Sequence, residues 1–249
     1  DDRGIEALKQ EMERRSLNFS CISCYNALTV PEGPVATDSE RRLKDTIDFA
    51  VALSIPVVRL IGYSEKPFEG FHLPRKEAFA LSCSRLKGLC EYAGERDIDI
   101  YIENSENIIP ESVSESLEIA DKVNVSNLGV VFDVINSYFE GSDPLEELKL
   151  FGDKTPAMVH VKNVKRTTET QDDLYAPKTS GAFTWTLLSK GDVPIEEILT
   201  VLKKNGYNGF VVGEYANPHK GMNREYWNRI PDPEEWAKDA KALFDRVLR

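Results

Sequence analysis

The chain has 249 residues, 41% hydrophobic and 29% charged, enough for one large α/β domain with a substantial core. Its formal net charge of −11 argues against a polyanionic partner, because nucleic-acid binding draws much of its affinity from a basic surface. No apolar run approaches a membrane span, Asp1-Asp2-Arg3 does not open a signal peptide, and four cysteines in no framework spacing fit reduced thiols in a cytoplasmic protein.

In chain order, residues 4–16 read as a helix with Ile5, Leu8 and Met12 on one face, followed by a strand over 17–23. A loop with Pro31, Gly33 and Pro34 leads to a helix through Leu53, capped at Asp38 or Ser39 and striped by Leu43, Ile47 and Ala50. Residues 56–61 form the next strand, and a long loop over 63–76 carries His72. A helix over 77–96 precedes the strand ending at Glu103. A further helix after Pro110 carries Val113, Leu117, Ala120 and Val123.

The strand ending at Asp133 leads through Asn136 to Asp143-Pro144, a capped short helix. Another strand reaches His160 and continues as Val161-Lys162-Asn163, and a mixed loop covers 167–190. The stretch 191–215 is the most informative. Asp192 offers a cap, Ile195, Ile198, Leu199 and Leu202 form a helical stripe, Lys203 and Lys204 suit the last turn, and Gly206 ends the helix. Phe210 to Gly213 is then a buried-type strand with Glu214 at its end. A loop over 217–230 carries His219, and Asp232-Pro233 starts a closing helix with Trp236, Ala240, Leu243, Phe244 and Val247 inward.

Four apolar strands thus each deliver one metal-capable side chain near their carboxyl ends: Glu103, Asp133, His160 and Glu214. In parallel α/β folds the chemistry gathers at those ends. Three carboxylates and one imidazole suit Mn²⁺, Mg²⁺, Co²⁺ or Zn²⁺ with positions left for substrate oxygens, and lack the thiolates of a closed structural zinc site. One such ion can grip a carbonyl and a neighbouring hydroxyl, and Glu103 and Glu214, from separated strands, can flank the substrate, one removing a proton from carbon and the other returning it. Residues 1–249 show no linker or composition break and read as a single domain.

The segments YIEN (101–104), VVFDV (130–134), HVKN (160–163) and KGDVPIEEILTVLKKNGYNGFVVGEY (190–215) resemble the xylose-isomerase-like barrel superfamily, in its sugar phosphate isomerase/epimerase branch. The resemblance covers the chain from residue 4 onwards. It implies that Glu103, Asp133, His160 and Glu214 bind one divalent metal ion and that the two glutamates are acid and base. The implied function is a divalent-metal-dependent isomerase or epimerase of a ketose or related polyol or keto acid. Its proton transfer is at the carbon next to the carbonyl the ion polarises. The alternatives are a dehydratase of an inosose or similar keto-sugar, or a non-catalytic sugar-binding relative. Asn136 stands where several epimerases carry a histidine, and Asn163 where the family often has an acid. Lys162 fits the family's His-x-Lys, although an inward strand lysine pairs equally well with a neighbouring carboxylate.

His72 and His219, in loops on the expected active face, join Asn136 and Lys162 as expected substrate contacts. AP endonucleases share the superfamily, but three histidines cannot furnish their trinuclear zinc cluster. The expected partner is a small sugar or polyol, with no nucleic acid and no membrane.

The fold class expected is a (β/α)8 TIM-barrel type lacking its first two strands, since six strands are countable and the chain opens on a helix. Six strands leave two open edges with apolar side chains exposed, so an N-terminally shortened chain and a homo-oligomer are both expected.

Overall fold

The computed structural model describes residues 2–62, 73–105, 108–139, 141–167, 182–215 and 230–249. These form two compact units, Asp1–Glu111 with Glu115–Val130, and Ser112–Ser114 with Val131–Arg249.

The first unit is built on helix–strand crossovers. Helix α1 covers Asp2–Arg15, β1 Ile22–Tyr25, α2 Pro34–Ala52, β2 Val57–Ile61, α3 Arg75–Gly94, β3 Asp99–Glu103 and α4 Val113–Val123. Strand β2 pairs in parallel with both β1 and β3. Leu43, Ile47 and Ala50 recur at helical spacing on α2 and are all buried, as are Leu86, Leu89 and Ala93 on α3. The strand side chains Val58, Leu60, Ile100 and Ile102 are buried as well. Helices α1, α2, α3 and α4 are each followed within three residues by a non-glycine left-handed residue, Ser16, Ser54, Asp97 and Asn124. Short polar side chains tolerate that conformation better than most.

Strand β4, Leu128–Asp133, passes from the first unit into the second. Its beginning lies beside β3, where Ile100 N donates to Asn127 O at 2.9 Å, and its end pairs with β5, Met158–Val161. Strand β5 pairs in turn with β8, Phe210–Gly213. The order β1–β2–β3–β4–β5–β8 gives the six strands expected, with β1 and β8 at the edges. The second unit adds α5 (Val134–Phe139), α6 (Pro144–Lys149), a 3₁₀ turn (Leu188–Lys190), α7 (Ile195–Lys204) and the closing helix α8 (Pro233–Leu248). Ile195, Ile198, Leu199 and Leu202 of α7 are all buried, and Gly206 stops the helix at φ +78°.

Several local expectations are corrected. Strand β1 starts at Ile22, not at residue 17, because its ladder to β2 runs only from Ile22↔Val58 to Tyr25↔Ile61. Leu17 and Phe19 are left exposed. Helix α2 starts at Pro34, whose fixed φ suits a first turn, and not at Asp38 or Ser39. Ser39 is instead buried, accepting the N–H of Ala27. Asp192 does not cap α7; its Oδ2 accepts the N–H of Arg166 at 2.6 Å and ties the turn before α7 to the segment carrying Arg166. On α4 the fully buried positions are Val113, Ser116, Ile119 and Val123, while Leu117 and Ala120 are half-buried.

The expected loop over 167–190 contains structure. Strands β6 (Asn163–Thr167) and β7 (Ala182–Thr186) pair as an antiparallel ribbon outside the main sheet. Among the described residues no helix is long and apolar enough to cross a membrane.

Candidate metal centre

Strand β4 is apolar until its last residue. Asp133 is wholly buried there, and each of its oxygens has work. Oδ1 accepts the N–H groups of Ile135 at 2.9 Å and Asn136 at 3.0 Å, capping α5. Oδ2 accepts Nζ of Lys162 at 2.8 Å. Burial pushes the Asp133 carboxyl up, but the positive charges of Lys162 and His160, with the bonds from Lys162 and Asn136, hold it below the usual range.

Register brings the partners alongside. His160 of β5 sits level with Asp133 on one side and with Val212 of β8 on the other. Strand alternation places Lys162, two residues on, towards the same face. Glu214 N donates to Val161 O at 2.9 Å, which fixes Glu214 just beyond β8. Lys162 Nζ then reaches Glu214 Oε2 at 3.0 Å, and His160 Nδ1 lies 3.8 Å from that oxygen. Asp133, His160, Lys162 and Glu214 are thus brought together in the second unit. His160 and Lys162 are buried, whereas the Glu214 side chain is 46% exposed.

The backbone around Glu214 is tightly held. A Cβ at Gly213 would meet Trp236 of α8 at 2.9 Å, so glycine lets the indole lie against the strand. Tyr215 packs edge-on to the same indole, and its hydroxyl donates to Pro231 O at 2.7 Å.

Asn136 lies on α5 and is half-buried. The same helix carries Tyr138 and Phe139, which pack on Phe183 of β7, while Phe139 also meets Trp185. The ribbon therefore buttresses the helix that Asp133 caps. Its sequence signal was the alternation of Phe183 and Trp185 with threonines, a period of two.

Asn163, which stands where the family often has an acid, has a structural task. It is buried, and its amide donates to the carbonyls of Leu188 and Val193 at 2.8 and 2.9 Å. Its Oδ1 accepts from the N–H groups of Val164 and Val193. A carboxylate could not donate those two bonds, which is a physical reason for the amide.

In the first unit, Glu103 ends β3 and is buried. Oε2 of Glu103 is ion-paired with Nη1 of Arg59 from β2, and Nε of Arg59 donates to Ser23 Oγ of β1 at 2.9 Å. Arg59 is level with Ser23 and Tyr101, so it reaches two residues along β3 to meet Glu103. Sequence reading passed over Arg59. Its signal was one charge inside the apolar run VVRLI. His72 and His219 lie outside the described residues.

Glu103 in the first unit and Asp133 and His160 in the second are buried side chains that could each offer a ligand atom, and Glu214 adds a carboxylate to the second unit. The Lys162 ammonium already stands between two of these carboxylates, so the second unit accommodates a cation there. Hard oxygen donors with one imidazole fit a small divalent ion.

The family described as "Xylose isomerase-like TIM barrel" matches residues 1–246. An inosose dehydratase of Clostridium perfringens is 23% identical over 227 residues, covering 85% of this chain and 74% of its own. Among solved structures, a D-psicose 3-epimerase of Clostridium cellulolyticum determined with D-tagatose superposes with TM-score 0.75. It is 17% identical, and the match covers 99% of this chain and 83% of that one. An IolI protein with a bound zinc atom superposes with TM-score 0.70 at 18% identity, over 98% of this chain and 81% of its own. At such identities the structural likeness establishes the fold, a partial (β/α) barrel.

Proposed function

This chain belongs to the xylose isomerase-like TIM-barrel family, and on that premise we propose that it is a divalent-metal-dependent isomerase or epimerase of a ketose or related polyol or keto acid. The observation that carries the reading is the placement of Lys162 between Asp133 and Glu214 beside His160, at the carboxyl ends of three parallel strands. Carboxylates gathered beside an imidazole are the donor set a divalent-ion site requires.

In this proposal Glu103, Asp133, His160 and Glu214 hold one Mn²⁺, Mg²⁺, Co²⁺ or Zn²⁺. When bound, the ion polarises a substrate carbonyl and makes the neighbouring C–H more acidic. Glu214 removes that proton and Glu103 returns one, the two carboxylates acting on the substrate as base and acid. Glu214 suits the first task because its side chain is partly open while Lys162 and the anchored Tyr215 restrict its position. Asn136, Lys162, His72 and His219 are the proposed substrate contacts. Residues 1–249 act in this proposal as one catalytic domain. Four free cysteines among the described residues support a cytoplasmic setting.

A second reading, dehydration of an inosose or similar keto-sugar, is favoured by the two inosose dehydratases of Clostridium perfringens that are 23% and 24% identical to this chain. Both readings begin with removal of a proton next to a carbonyl and differ in what leaves afterwards. The test is turnover by metal-loaded protein on a panel of ketoses and keto-inositols, with products separated by mass. An isomeric product supports the first reading, and loss of water supports the second. Full turnover after complete chelation would overturn both.

A further inference from the structure

We propose that the cleft between α2 and α3 in the first unit is a binding site for a small monocarboxylate with an apolar body, seated with its carboxylate on Arg85. The inference goes beyond the metal reading and uses none of its residues. The cleft has a volume of about 230 Å³, room for about eight water molecules at liquid density. Leu28, Leu43 and Leu89 give it an apolar lining and are otherwise buried. The space is below the usual range for drug-sized ligands, so it suits an aromatic or short aliphatic acid.

The charged residues lining the cleft are Glu40, Lys44 and Arg85, so cations prevail there on a chain whose net charge is −11. Lys44 and Glu40 form a solvated pair along α2, which contributes little. Arg85 is anchored instead. Its Nη1 donates to the carbonyls of Leu28 and Val30, which holds the guanidinium against the segment after β1. Its acidic partner is Glu32, bonded to Nη2 at 2.7 Å by a side chain that is 86% exposed. Among the described residues Nε of Arg85 has no acceptor. The Nε–Nη2 edge is one that a carboxylate binds with two parallel bonds, and an exposed glutamate is readily displaced from it. Gly88 supplies an independent observation. It lies inside α3 and lines the cleft, yet a Cβ there would meet nothing within 4 Å. Close packing therefore does not demand glycine, although glycine weakens a helix interior. What the missing side chain leaves is an open mouth to the cleft.

The test is amide NMR of the full chain, without added metal, titrated with benzoate, hexanoate and their neutral counterparts benzyl alcohol and hexanol. Saturable shifts at the amides of Leu28, Leu43 and Gly88 are expected with at least one acid. That acid is expected to bind at least about 10-fold more tightly than its alcohol, as a charge-assisted bond implies. Arg85→Met is expected to remove this advantage. Gly88→Leu, which puts a side chain at the mouth and improves the helix, is expected to weaken binding of the acid at least about 10-fold. Should Arg85→Met fail to fold, the comparison of acid with alcohol on the wild type decides the charge pairing, and Gly88→Leu decides the place. The inference is overturned by any one of four results: no saturable shift at these amides with either acid, equal affinity for acid and alcohol, an undiminished advantage in folded Arg85→Met, or wild-type affinity in Gly88→Leu. Each of these would leave the metal reading standing, because no metal takes part in the measurement.

Discussion

Nζ of Lys162 lies 2.8 Å from Oδ2 of Asp133, a carboxylate with no exposed surface. A pair buried so deeply makes the loss of either partner expensive, because the survivor keeps its charge in a poorly solvated place. Lys162→Met is expected to lower the stability of the metal-free protein by about 3 kcal/mol in denaturant unfolding. Saturating Mn²⁺ should restore much of the loss, since the ion supplies the missing positive charge. Equal stability of the variant and the wild type without metal would mean that the pair contributes little.

The turn over 188–193 provides a test of packing. A Cβ on Gly191 would fall 2.0 Å from Oδ1 of Asn163, and Asn163 is fixed by four hydrogen bonds. Gly191→Ala should therefore destabilise the protein by about 1–3 kcal/mol. Chemical denaturation reads this directly, and an unperturbed midpoint would show that the turn gives way.

Cys90 is buried on α3, and burial, with smaller contributions from the nearby Glu91 and Asp99 charges, pushes its thiol up to about 12. The thiolate is the reactive form, so alkylation of Cys90 should remain slow from pH 7 to pH 9. Cys21 and Cys24 are more accessible and should be modified first. Peptide mass mapping after timed iodoacetamide treatment orders them. Early labelling of Cys90 in folded protein would contradict its burial.

In the proposed mechanism, Glu214→Gln keeps an oxygen donor but loses the base. The variant is expected to retain a measurable affinity for metal and to lose exchange of the substrate's carbon-bound proton with solvent by at least about 100-fold. Full exchange with metal retained would remove Glu214 from the proton transfer.

Much of this was legible in the sequence, for identifiable reasons. Glu103, Asp133, His160 and Glu214 stood out because each ends or interrupts an apolar strand, and a parallel sheet places strand ends on one side. The stripe on α7, the stop at Gly206 and the Asp232 cap of α8 were local, and local signals survive packing. Other features depended on partners distant in sequence. Ser39 and Asp192 look like caps, but tertiary contacts to Ala27 and Arg166 claim their oxygens. Residues 17–21 look like strand, but the edge has only β2 to pair with, and the ladder begins at Ile22. The β6–β7 ribbon was hidden by the residues between its strands, and Arg59 reads as an error in an apolar strand until Ser23 and Glu103 are seen on either side.

The exposed side chains of Tyr25 on β1 and Phe210 on β8, both edge strands, bear on assembly. Self-association is expected to depend on these edges, so Tyr25→Lys should shift sedimentation towards monomer if copies meet through β1. An unchanged distribution would place any assembly elsewhere.

Metal-dependent removal of a proton next to a carbonyl is the central step of the proposed function, and solvent exchange reads it for an isomerase and a dehydratase alike. The measurement is deuterium incorporation from D₂O, followed by NMR, for a panel of ketoses and keto-inositols with Mn²⁺-loaded and fully chelated protein. Incorporation is predicted at the carbon next to the carbonyl in at least one substrate, lost on chelation and regained with metal. Absence of exchange in every substrate that demonstrably binds the metal-loaded protein would contradict this mechanism and point to a sugar-binding relative without catalysis.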